Sequence, residues 1–185
     1  MIGKKNVVFG FIYLVFTAAL GPYMLSTLYG DFTAASAEKQ QQMAQLAQAR
    51  TDGFELELEP LESEEIARMN TDGLLSMNKA DNARMPIDTI KGGPHAHGNL
   101  EALLNVVAGI VLGFIAVAAW FKQLISWVFI LGALLHSGLL YLRAFNIEWA
   151  GSLLNTGIGP ILVLLGFLLI GVAAAIGWRG RPVED

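Results

Sequence analysis

The sequence predicts an all-α membrane protein: four transmembrane helices with an extramembrane insertion between helices 1 and 2. Three observations carry this. Hydrophobic residues make up 54% of the 185-residue chain and charged residues 15%, against about 25% charge in soluble domains, and mean hydropathy is +0.51. Charge is also segregated, since residues 31–98 hold 12 of the 16 acidic and 6 of the 12 basic side chains. Outside that segment lie several uncharged runs close to the ~20 residues that cross a bilayer core.

Taken in order, Lys4 and Lys5 precede an apolar run to about Tyr29. It resembles a signal peptide but is long enough to span, and is read as a retained helix over 1–30 with a kink or unwinding at Gly21-Pro22. The insertion, 31–98, begins with the helix formers of 40–49 and a stop at Thr51-Asp52-Gly53. Phe54-Glu55-Leu56-Glu57-Leu58-Glu59 alternates with the period of a strand, and Pro60 closes it. Residues 62–69 read as helix, and Pro86 and Gly92-Gly93-Pro94 interrupt the remainder of the insertion. The insertion is too poor in large apolar residues to build much core of its own. Further spans are predicted at 100–121, 124–142 and 153–178, within a helical region 99–178, with a short loop around Lys122 and a cytoplasmic tail 179–185. Lipid allows no unpaired backbone, so these runs are helices.

Lys4, Lys5, Lys122, Arg179 and Arg181 fall on one side of this arrangement and Arg143 on the other. The bias puts both termini in the cytoplasm of a bacterial inner membrane and 31–98 on the periplasmic side. Trp120, Trp127 and Trp178 then lie near the inner interface and Trp149 near the outer. Scattered basic residues exclude a nucleic-acid surface. The absence of Cys excludes disulfides, zinc ribbons and thiolate-held haem or clusters. A metal or cofactor must therefore rest on His, carboxylate, Met or Tyr. The acids Glu55, Glu57, Glu59, Glu62, Glu64 and Glu65 are spread along a face and read as solvated surface rather than a cation site.

The stretch with most chemistry is Gly92-Gly93-Pro94-His95-Ala96-His97-Gly98-Asn99-Leu100-Glu101, leading into the second span. His97, Glu101 and Asn105 recur at helical spacing, a polar stripe running roughly 12 Å into the membrane. The third span returns outward and carries His136-Ser137 at nearly the same depth, with Tyr141 five residues beyond His136. Ionisable groups at membrane depth are costly and mark function. One reading is that Glu101 and His136 pair to fix helix packing. The other is that His97 or His136, or both, ligate a metal or haem iron, with Glu101 orienting a ligand or carrying a proton. Gly109, Gly113, Gly132, Gly138, Gly157, Gly159, Gly166 and Gly171 allow close helix approach or a protomer contact.

Four spans, the Ala96-His97-Gly98 step at the mouth of the second, Asn105 along it and Tyr141 near the end of the third resemble the styrene oxide isomerase family. The resemblance covers roughly residues 95–178. It implies a small haem-b membrane protein whose ferric iron acts as a Lewis acid on an epoxide oxygen. By that resemblance His97 is the axial ligand at a protomer boundary, and Asn105 and Tyr141 assist catalysis. The expected function is a haem-b or metal-binding inner-membrane protein with a His-ligated site near the outer face. A single His ligand suits a Lewis-acid isomerase, and two suit electron transfer. The rival is a non-catalytic accessory or assembly subunit of a larger membrane complex. The partners expected are the lipid bilayer and either further copies of the chain or the subunits of such a complex.

Overall fold

The computed structural model describes residues 1–56 and 59–183, and these are overwhelmingly helical. Two compact units form, one of Met1–Pro22 with Thr89–Asp185 and one of Tyr23–Asp88. Among the described residues three helices are long and apolar enough to cross a membrane: Lys4–Thr51, Ala119–Ala144 and Ile158–Gly177.

The first unit opens with α1, Lys4–Ala18. Ala19 interrupts it, and α2, Leu20–Tyr23, leads into a π-helical turn at Met24–Leu28. Gly21-Pro22, where a kink or unwinding is expected, lie within α2 itself, between the break at Ala19 and this π turn; proline offers no backbone N–H there. The unit resumes at a second π turn, Lys91–His95, bent at Gly93, whose φ and ψ of −93° and −108° leave the helical region. That turn feeds α5, Ala96–Leu112. At 17 residues and about 26 Å, α5 is shorter than the predicted run 100–121. Beyond Asn105 the run is uniformly apolar, so periodicity carries no end signal. The chain leaves the helix at residues 113–118, where its backbone finds partners: Ala116 N–H donates to Gly177 C=O at 2.7 Å and Arg179 N–H to Phe114 C=O at 3.0 Å. The connecting loop therefore lies here and not around Lys122, which is buried in the first turn of α6, Ala119–Ala133.

A third π turn, Leu134–Gly138, joins α6 to α7, Leu139–Ala144. Then come α8, Glu148–Leu154, and α9, Ile158–Gly177, separated by Gly157 at φ +70°. Ala108, Leu112, Ile115, Ile125, Phe129 and Ala173 form the buried apolar cluster of this unit. α1 and α5 run antiparallel in very close contact. A Cβ on Gly10 would sit 2.5 Å from the Ala102 carbonyl, and one on Gly109 would sit 2.5 Å from that of Gly3.

The second unit is a helical hairpin. α3, Tyr29–Thr51, and α4, Ser63–Ile90, are joined by a minimal antiparallel pair, β1 (Glu55–Leu56) with β2 (Glu59–Pro60). The predicted alternating strand falls partly on Glu57 and Leu58, which lie outside the described residues. α4 extends far beyond the expected 62–69 and through Pro86. Gly73 does not stop it, because the missing side chain makes room for Leu46 and Met43 of α3. Lys79 and Glu38 pair across the hairpin at 2.6 Å.

Candidate functional site

His136 and Ser137 are consecutive residues of the third π turn, their side chains on adjoining faces of the coil. The π turn Leu134–Gly138 widens the coil at that point. Both side chains meet Glu101 of α5: His136 Nδ1 donates to Oε1 at 2.5 Å, and the Ser137 hydroxyl donates to Oε2 at 2.5 Å. The hydroxyl of Tyr13, on α1, bonds Ser137 Oγ at 2.9 Å. Glu101 is 4% exposed, and both of its oxygens are thus satisfied, as a buried carboxylate requires.

His97 lies one turn before Glu101 on α5 and is exposed. Its ring centre is 4.8 Å from that of His136. His97, Glu101 and His136 each offer one ligating atom, and these lie within 4.8 Å of one another. Where Nδ1 donates to Glu101 and the ring is neutral, Nε2 is the nitrogen that can bind a ligand, the arrangement by which a carboxylate orients a metal-binding imidazole. The set borders a cleft of about 320 Å³ whose remaining walls are Leu100, Leu104, Pro160, Val163, Leu164 and Phe167.

The donor set fits a single ion, which takes two imidazoles side by side with or beside a carboxylate. It does not fit two histidines on opposite faces of one iron. Two metal–nitrogen bonds of about 2 Å each, plus the ring radii, would hold the ring centres further apart than 4.8 Å.

Of the residues singled out from sequence, then, His97, Glu101 and His136 come together. Asn105 sits a turn deeper in a separate buried network. It donates to the carbonyls of Glu101 and Phe129 at 3.0 and 3.3 Å, and accepts from Asn6 Nδ2 at 3.0 Å. Asn6 also donates to the Ser126 carbonyl and receives the Ser126 hydroxyl. Tyr141 is half-buried on α7, its ring tilted against that of Phe145 with centres 5.2 Å apart, and is not among the groups that converge on Glu101. His95 is tied to the Thr17 carbonyl at 2.9 Å. Sequence reasoning missed Tyr13, Asn6 and Thr17. Their signal was present in α1, where Asn6, Gly10, Tyr13 and Thr17 recur at helical spacing within an apolar run.

The chain matches no family model, no curated protein and no solved structure.

Proposed function

We propose that His97 and His136, with Glu101 behind them, hold a metal centre with an open coordination position, and that the protein is a membrane enzyme using it on an apolar molecule. The observation that carries the reading is the convergence of three ligating side chains, one a buried carboxylate, within 4.8 Å. Bound there, a metal supplies Lewis-acid polarisation of a substrate oxygen. The chain's own residues do the rest. Glu101 holds the His136 ring in one orientation through its Nδ1. Ser137, itself bonded to Tyr13, fixes Glu101. Leu104, Val163 and Phe167 exclude water, which strengthens every electrostatic contact in the cleft.

Two metal forms are supported, one by each of two observations. The adjacent histidine rings favour a single ion. The resemblance to styrene oxide isomerases favours haem b on His97. The architecture proposed with either is four membrane crossings, α5 being the second, in a bacterial inner membrane, with further copies of the chain as partners. The Lys and Arg bias supports cytoplasmic termini.

Metal analysis and an absorption spectrum of the purified protein test this together. The expected result is about one metal per chain, lost roughly tenfold or more in His97→Ala and kept in His95→Ala. A Soret band identifies haem, and a metal without one identifies the ion. Neither signal, with partner subunits copurifying, leaves Glu101 and His136 as a packing pair and favours an accessory subunit.

A further inference from the structure

We propose that a second cleft, between the N-terminal end of α1 and α6, binds one phospholipid with an anionic headgroup. The cleft has a volume of about 620 Å³. Val8, Phe9, Trp127 and Ile130 form apolar walls, and Lys4 and Lys5 stand among the same lining residues with no acidic side chain between them. The Lys5 ammonium is held in place twice. It lies 4.3 Å from the centre of the Trp127 ring and donates to Gln123 Oε1. An ammonium has three donors, so the Gln123 bond leaves donors for a phosphate oxygen. Lys4 is exposed beside it.

The chemistry selects the ligand. Apolar walls suit an acyl chain, and a stacked indole and ammonium at one end suit the polar–apolar boundary of a lipid. A zwitterionic headgroup brings its own cation against two lysines, whereas an anionic one does not. A free phosphate would satisfy the lysines but leave the walls bare.

Native mass spectrometry of the full-length protein in detergent, with phosphatidylglycerol or phosphatidylcholine of matched chains, tests the site. One phosphatidylglycerol is expected to be retained in preference to phosphatidylcholine. The double change Lys4→Gln, Lys5→Gln should weaken it about fivefold for each lysine lost. Trp127→Leu should weaken it with the charge intact. Arg179→Gln with Arg181→Gln should leave it unchanged, and circular dichroism checks that each variant is folded. Equal retention of the two lipids, equal losses in both double variants, no effect of Trp127→Leu, or displacement by inorganic phosphate would each overturn the proposal.

Discussion

A carboxylate almost sealed from solvent is costly unless each oxygen has a partner, and Glu101 has His136 on one and Ser137 on the other. Glu101→Gln preserves size and removes the charge. If the carboxylate serves His136 as a ligand orienter, metal affinity should fall about 10- to 100-fold while helicity and thermal midpoint stay close to the parent's. Unchanged affinity, measured by competition with a chelator, would reduce Glu101 to helix glue. Glu101 and His136 were legible in the sequence because a charge at membrane depth is conspicuous. Ser137 was noted beside His136, but not its bond to Glu101, because a serine in a membrane helix bonds its own backbone as readily as a neighbour. Asn105 was legible as polar, but not as part of a network with Asn6, since that pairing requires knowing which helix lies alongside.

At the scale of elements, glycines decide how close the helices lie. A Cβ on Gly159 of α9 would press into the Leu135 carbonyl and come within 2.5 Å of the His136 amide nitrogen. Backbone cannot yield as a side-chain tip can, so Gly159→Ala must displace the π turn or α9. If the proposed metal centre is bound, Gly159→Ala should lower metal content although Gly159 offers no ligand, and metal content equal to the parent's would show that the turn tolerates the shift. Gly10→Leu should wedge α1 from α5 and destabilise by about 3 kcal/mol, read as a lower thermal midpoint in detergent. Of the glycines read as packing positions from sequence, Gly132, Gly159 and Gly166 face Val163, the Leu135 carbonyl and the Phe129 ring, whereas Gly157 and Gly171 face open space; composition alone does not separate the two kinds. Helix ends were the least legible feature. Residues 113–118 are as apolar as the helix before them, and only the Phe114–Arg179 and Ala116–Gly177 backbone bonds reveal why the chain can leave the helix there.

For the molecule as a whole, three membrane-competent helices and a separately compact hairpin agree with the composition, which was legible at a glance. Side is a matter of test. Asp72 is exposed on α4, so Asp72→Cys should react with an impermeant maleimide on intact cells if the hairpin is periplasmic. Labelling only after lysis would reverse the orientation. The cleft at His97 has a further consequence. Its rim residues Leu100 and Leu164 are 55% and 67% exposed, so if α5 crosses the bilayer as proposed, the opening looks sideways into acyl chains. A ligand reaching His97 by that route is dissolved in two dimensions, and its effective concentration is a mole fraction set by partitioning. Occupancy should then follow the ratio of ligand to lipid, falling when empty vesicles are fused in at constant bulk concentration, as it does not for a site filled from water.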